Sequence, residues 1–150
     1  MEEIEITEFP EPTIESIKKS SEFYKYEEGQ CHRNSLELCN GDIMDSLFGQ
    51  MEYTITNRSI VEGFAIIDGD VFPHIWNYFT ICKDNDIRME YIDITKSLFF
   101  NDKSVRYFKM ANYDVETLER NNDNGCVFSE ETKKMAKQYA SDNGLEYKES

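Results

Sequence analysis

Apolar residues recur at helical spacing in the first third of the chain, give way to β-branched and aromatic runs in the middle, and return to helical spacing near the C-terminus. The first third predicts a helix over residues 14–27, with Thr13 as its N-cap, and a second helix over residues 31–40. A short amphipathic turn follows over residues 43–48. This order of helices and strands favours an α+β fold.

The middle of the chain has the composition of strands joined by short polar turns, which predicts an antiparallel meander. A further, weaker strand is expected later in the chain. The predicted strands cover residues 52–56, 60–67, 71–79, 87–93 and 106–110, and the turns between the first four are Asn57-Arg58, Asp68-Gly69-Asp70 and Lys83-Asp84-Asn85-Asp86.

The two ends of the chain differ in character. Residues 1–12 contain two prolines and alternate acids with isoleucines, which predicts an extended acidic arm or an edge strand. Residues 114–142 predict two C-terminal helices with recognisable caps. The signals are Asp114 capping 115–122, Asn124-Gly125 ending that helix, and Ser129 capping a helix to about 142. We expect one domain over residues 1–150, with N-terminal helices packed on an antiparallel sheet.

The composition of the chain argues against some classes of ligand and location. With 30 acidic and 16 basic residues the net charge is −14, so we expect neither direct nucleic-acid binding nor membrane association, whereas a basic protein partner remains open. The acidic N-terminus lacks the basic start and apolar run of a secretory signal. Four cysteines at irregular spacing then predict a cytoplasmic protein with reduced thiols.

The first chemical candidate is Cys31. It follows the flexible turn residue Gly29 and opens the predicted helix over residues 31–40. Unsatisfied N–H groups and the positive end of the helix dipole favour an anion at that position. Cys31 is therefore a candidate thiolate nucleophile.

Two later residues are candidate partners for this thiol. A turn centred between Asp84 and Asn85 places His74 opposite residue 95 on the neighbouring strand. Asp93 then lies on the same sheet face as His74, within diagonal reach. Trp76 shares that face and is expected to shield the pair from water and to contribute to the substrate site.

Cysteine, histidine and aspartate in this arrangement form a catalytic triad suited to acyl transfer. His74 accepts the thiol proton, Asp93 orients the imidazole, and the Cys31 thiolate attacks an amide, isopeptide or thioester carbon. The developing oxyanion takes the backbone N–H of Cys31 and a second donor, for which Gln30 is the nearest candidate. The substrate is expected to be a peptide, a protein or a small acyl compound. No cofactor is implied, and no pair of ligands at metal-site spacing occurs.

Three short motifs carry a family resemblance: Gly29-Gln30-Cys31, His74-Ile75-Trp76 and Tyr91-Ile92-Asp93-Ile94-Thr95. Together they resemble the core of the transglutaminase-like branch of the papain-like cysteine enzymes, over residues 29–95. The resemblance implies a Cys-His-Asp triad and a papain-like or transglutaminase-like core. Papain-type enzymes place the oxyanion glutamine several residues before the cysteine, whereas Gln30 adjoins it here.

Other interpretations remain open at this point. Asp93 is also a candidate N-cap of a short helix, and His74 a strand-end histidine bonded to backbone. His32 is expected to face solvent, and Asn34 and Glu62 have no assigned role. The remaining cysteines, Cys39, Cys82 and Cys126, are expected in the core. The later aromatic residues either fill the core or line a cleft, and they are Phe99, Phe100, Tyr107, Phe108 and Tyr113.

An alternative function belongs to a different class. On the same scaffold, a non-catalytic acidic protein of viral or bacterial origin would bind or inhibit a basic partner, with DNA mimicry as one form of this. Such a protein needs its acidic surface and is indifferent to the loss of the Cys31 thiol.

Overall fold

A computed structural model describes residues 1–123 and 128–149 of the chain. Within them it has an α+β fold of six helices and a six-stranded mixed sheet. The helices are α1 (Glu11–Lys18), α2 (Cys31–Asn40), α3 (Ile43–Gln50), α4 (Ile94–Phe99), α5 (Val115–Asp123) and α6 (Glu130–Asp142). The strands are β1 (Glu2–Ile4), β2 (Thr54–Ile67), β3 (Asp70–Lys83), β4 (Asp86–Ile92), β5 (Val105–Tyr113) and β6 (Glu146–Tyr147).

The meander predicted for the middle of the chain is confirmed, because β2, β3 and β4 pair in sequence and antiparallel. β5 returns to the other side of β2, and β1 extends the sheet beyond β5. The expectation of a purely antiparallel sheet is wrong, since β6 pairs in parallel with the start of β3. A two-residue strand is too short to carry an alternating pattern, so it left no sequence signal.

β2 is one strand where two were predicted. The polar pair Asn57-Arg58, expected to be a turn, lies inside the strand, and the pairing with β3 shifts register between Ile55 and Asn57. A second shift occurs between Glu62 and Gly63 in the pairing with β5. Such bulges absorb an extra residue and increase the local twist without ending the strand.

The first helix differs most from its prediction. α1 begins at Glu11 after Pro10 as N-cap, and it ends at Lys18. The predicted Thr13 cap is wrong because the first turn tolerates a proline, so Pro12 lies inside the helix instead of ending the arm. A separate 3₁₀ turn at Phe23–Lys25 occupies the rest of the predicted span of residues 14–27.

The other helix predictions agree with the structure. α2 covers residues 31–40 as expected, and the expected turn over residues 43–48 is the helix α3. The side chain of Asp114 accepts a hydrogen bond from the N–H of Thr117 at 2.7 Å, and that of Ser129 accepts from Thr132 at 3.2 Å. The predicted break at Asn124-Gly125, and Cys126, lie outside the described residues.

α2 is held against β3 by polar contacts between buried groups. The Asn77 amide donates to the Ser35 carbonyl at 3.1 Å and to Cys39 Sγ at 3.2 Å, and the Ser35 hydroxyl donates to the Ile75 carbonyl at 3.4 Å. Buried polar groups that bond each other in this way set the position of one element on its neighbour. The helix that carries Cys31 is thereby placed on the strand that carries His74.

None of the helices in the described ranges combines the length and the apolar character needed to cross a bilayer.

Candidate active site

Cys31 is the first residue of α2, as predicted, and its side chain is partly exposed. Gly29 adopts a φ of +77°, a left-handed conformation that glycine reaches without strain and that turns the chain into the helix. Gln30 is the N-cap, but its side chain makes no capping hydrogen bond. The first N–H groups of α2 therefore point out of the helix without an intrahelical partner, beside the thiol.

Asn34, which had no assigned role, holds the loop in front of Cys31. Its side chain exchanges two hydrogen bonds with the backbone of Glu27, at 2.9 Å and 2.8 Å. The same amide donates to the hydroxyl of Thr95 at 3.0 Å. Asn34 is fully buried, so these bonds are shielded from water and tie the cysteine loop to the start of α4.

Asp93 joins His74 and α4. Its Oδ2 lies 2.7 Å from His74 Nε2 and accepts a hydrogen bond from the Tyr107 hydroxyl at 2.8 Å, while Oδ1 accepts from the backbone N–H of Lys96 at 3.2 Å. The contact with His74 and the cap of a short helix, the two alternatives for Asp93 in the sequence, are therefore both present. The residue caps a short helix with one oxygen and orients an imidazole with the other.

The route by which Asp93 reaches His74 differs from the prediction. The predicted turn between Asp84 and Asn85 is confirmed, since Lys83 pairs with Asp86 and the ladder continues to Asn77 and Ile92. There the pairing ends, because α4 begins two residues later. The predicted pairing of His74 with residue 95 is thus wrong, and Asp93 reaches the imidazole from a helix N-cap.

The electrostatics of the three residues favour an ion pair. Burial alone would raise the pKa of Cys31, but hydrogen bonds with His32 and His74 and their charges lower it to about 6. Burial opposes protonation of His74, yet the charge and hydrogen bond of Asp93 raise its pKa to about 10. These opposite shifts favour a thiolate and an imidazolium over a neutral thiol and imidazole. Since Asp93 binds Nε2, Nδ1 is the ring nitrogen left for the sulfur.

The carboxylate stays ionised in this buried place. Burial would raise the pKa of Asp93, but the charge and hydrogen bond of His74, the Tyr107 hydroxyl and the Lys96 N–H hold it below its usual range. Burial and the neighbouring carboxylate also raise the pKa of Tyr107, which therefore remains a hydrogen-bond donor. These contacts favour an ionised Asp93 beside a neutral Tyr107 hydroxyl.

Trp76 packs on His74, as strand alternation predicts. The two rings are nearly parallel, with centroids 5.9 Å apart, and the Trp76 and Tyr107 rings meet edge to face with centroids 5.2 Å apart. Trp76 is fully buried and does not line the cleft described next. Its predicted shielding of the imidazole fits this position, whereas a direct contact with substrate does not.

A cleft of about 770 Å³ opens in front of the thiol and the imidazole. Gln30, the oxyanion donor expected from the sequence, is exposed on its wall beside Cys31. The later aromatic residues divide between two roles: Phe99 and Phe100 line the cleft, whereas Tyr107 and Phe108 are buried. The other apolar lining residues are Leu36, Ile67, Phe72, Pro73 and Phe128.

His32 is buried, so the expectation that it faces solvent is wrong. Its Nδ1 lies 3.8 Å from Cys31 Sγ, and its ring meets Phe128 edge to face at 4.8 Å. The only sequence signal for this contact was the adjacency of the two residues, and neighbours on a helix usually point apart.

Glu62 is the other polar residue whose role sequence reasoning missed. This buried carboxylate accepts hydrogen bonds from the Tyr113 hydroxyl at 2.7 Å and from the Thr132 hydroxyl at 2.9 Å. It also accepts from the backbone N–H and the hydroxyl of Ser129, at 2.8 Å and 3.1 Å. Glu62 thereby fixes the start of α6 and the neighbouring residue Phe128, which lines the cleft.

The other thiols differ from Cys31. Cys39 is buried, as expected, and burial raises its pKa to about 11. Cys82 is only partly buried, so the expectation that it lies in the core is wrong. Among residues 1–123 and 128–149, no group of three or more metal-ligating side chains converges.

Comparison of the chain with protein-family models, with curated proteins and with solved structures gave no match in any of the three.

Proposed function

We propose that this protein is a thiol-dependent hydrolase or acyltransferase in which Cys31, His74 and Asp93 act as a triad. The observation that carries the proposal is the His74 imidazole, bonded through Nε2 to the buried Asp93 carboxylate and lining the same cleft as a thiol at a helix N-terminus, whose pKa it lowers. A histidine that only stabilises the fold needs no thiol beside it. A cysteine nucleophile, in contrast, needs an imidazole to take its proton and a carboxylate to orient that imidazole. The motif resemblance to transglutaminase-like enzymes points the same way and stays a prediction.

The acylation step follows from the charges. The Cys31 thiolate attacks the carbonyl carbon of an amide, isopeptide or thioester, and a carbon–sulfur bond forms. The oxyanion is stabilised by the free N–H of Cys31 and by the Gln30 amide. As the intermediate collapses, the bond to the leaving group breaks and the His74 imidazolium gives that group its proton.

Deacylation reverses these roles. His74, now neutral, takes a proton from water or from an amine as that acceptor attacks the thioester carbon. The carbon–sulfur bond then breaks, and the thiolate and imidazolium are restored. Asp93 remains a carboxylate throughout and holds the ring so that Nδ1 faces the reacting atoms.

The lining of the cleft favours an acyl donor with an apolar or aromatic group. Phenyl rings form much of the wall. Two cations on it are already paired: Arg33 with Glu27 at 3.0 Å and Lys103 with Asp68 at 2.8 Å. Burial of apolar surface against these rings therefore favours binding of such a group.

Stoichiometric acylation by p-nitrophenyl esters tests the proposal. We expect p-nitrophenyl 3-phenylpropanoate to give a burst of one p-nitrophenolate per protein, faster than the acetate ester, with the acyl group on Cys31 by peptide mass spectrometry. Cys31→Ala should abolish the burst, and Cys82→Ala is the matched control because Cys82 is also a partly exposed thiol. A burst that persists in Cys31→Ala, or an acyl group on another residue, would overturn the proposal.

A further inference from the structure

Cys31 has a second imidazole beside it. His32 Nδ1 lies 3.8 Å from the sulfur, within hydrogen-bond range for this larger atom. The ring lines the same cleft and has only 9% of its surface exposed. A thiolate accepts more than one hydrogen bond, so the bond to His74 does not exclude a second donor.

The position of this ring is supported from a distant part of the chain. Phe128 meets His32 edge to face, and the residue after it, Ser129, is anchored to the buried Glu62 carboxylate by two hydrogen bonds. The wall behind the imidazole is therefore fixed by the N-terminus of α6. A ring that only filled space would not need Nδ1 turned toward sulfur.

The geometry points to His32 as a positioning residue that hydrogen-bonds the Cys31 thiolate through Nδ1 and holds the sulfur toward the cleft. This inference rests on the proposed function and adds a fourth residue to it. When His74 gives its proton to the leaving group, the sulfur is held in the thioester and His32 remains beside it. As deacylation breaks the carbon–sulfur bond, His32 donates to the sulfur and stabilises the negative charge that returns to it.

Two substitutions separate hydrogen bonding from packing. His32→Phe keeps a ring against Phe128 but has no nitrogen, whereas His32→Asn places an amide where Nδ1 stood. We expect His32→Phe to slow alkylation of Cys31 by iodoacetamide at pH 6 about 10-fold, as for the loss of a hydrogen bond to a charged group, and His32→Asn to recover most of the rate. Equal rates for wild type and His32→Phe would overturn the inference.

His74→Ala in the same series distinguishes the two proposals. If His74→Ala leaves Cys31 at the wild-type rate, the proposed triad fails whatever the His32 variants do. If His74→Ala slows the reaction and His32→Phe does not, only the role of His32 fails.

A measurement on the unsubstituted protein covers the case in which His32→Phe does not fold. The chain has two histidines, so a ¹⁵N spectrum of the imidazoles contains two sets of signals, which His74→Ala assigns. Alkylation of Cys31 removes the charge on sulfur. We expect both imidazoles to shift, and an unchanged His32 Nδ1 signal would contradict the proposed bond.

Discussion

Replacing Asp93 with alanine is expected to remove both the reactivity of Cys31 and a large part of the folding stability. The buried carboxylate accepts from His74, from the Tyr107 hydroxyl and from the Lys96 N–H, and alanine leaves these three buried donors without their acceptor. Breaking a buried charged pair on one side costs on the order of 3–5 kcal/mol. Urea unfolding monitored by the single tryptophan, Trp76, measures this loss directly.

Asp93→Asn separates the chemistry from the stability. Asparagine keeps an oxygen for the Lys96 N–H, so helix α4 retains its cap, but the negative charge beside His74 is lost. The pKa of His74 then falls, the thiolate loses its imidazolium partner, and acylation slows by about 10³- to 10⁴-fold, as expected for an imidazole in the wrong tautomer. Tyr107→Phe is the matched control, since it removes one donor to Asp93 and leaves the charge. Wild-type acylation in Asp93→Asn would contradict this role.

Gly63→Ala is expected to destabilise the fold behind the imidazole. Gly63 pairs with His74 across β2 and β3, and a Cβ placed on it would lie 2.0 Å from the Phe108 carbonyl oxygen and 2.9 Å from the Trp76 ring. The backbone of β5 and the ring that backs His74 must both move. We expect a loss of about 3 kcal/mol or more in the free energy of unfolding, the upper range for overpacking.

Gly49→Ala is the matched control for this glycine. Gly49 lies in helix α3, and a Cβ built on it would meet no atom within 4 Å beyond its chain neighbours and the adjacent backbone of the helix. Alanine there should stabilise the protein by about 0.5–1 kcal/mol, through helix propensity. Urea unfolding of the two variants is expected to show changes of opposite sign in the free energy of unfolding, and an unchanged stability of Gly63→Ala would contradict the close approach at Gly63.

Local chemistry made part of this site predictable. The turn formed by Asp84 and Asn85 sets the register of β3 and β4. A shift of that pairing by one residue would turn a buried face of the strand toward solvent. Gly29 marked the turn into α2 and so the helical position of Cys31. Both signals act over a few residues, within the range where sequence patterns determine structure.

Contacts between distant segments were not predictable. Asn34 bonds Thr95 across 61 positions and Glu62 bonds Thr132 across 70, and nothing in the local pattern distinguishes either side chain from a solvated polar residue. Asp93 reached His74 from a helix N-cap because the strand ended earlier than its β-branched residues suggested. In each case tertiary packing, not local preference, decided the outcome.

The alternative of an acidic binding protein makes a different prediction about the thiol. A protein that acts through its net charge of −14 needs no ionised cysteine, so Cys31→Ala would leave its binding to a basic partner unchanged. Cys31 would then behave as an ordinary thiol with a pKa of about 8.5. The ionisation of Cys31 therefore decides between the two functions.

The most direct test is the pH dependence of alkylation of each cysteine by iodoacetamide, read by peptide mass spectrometry in wild type and in His74→Ala. Only the thiolate reacts, so the rate rises as the pH passes upward through the thiol pKa. Cys31 is expected to reach half its maximal rate near pH 6, while Cys39, with its pKa raised to about 11, stays inert. His74→Ala should move the Cys31 midpoint toward about 8.5 and slow its reaction at pH 6 by about 100-fold. A Cys31 midpoint near 8.5 already in the wild type, or one that His74→Ala leaves in place, would contradict the triad.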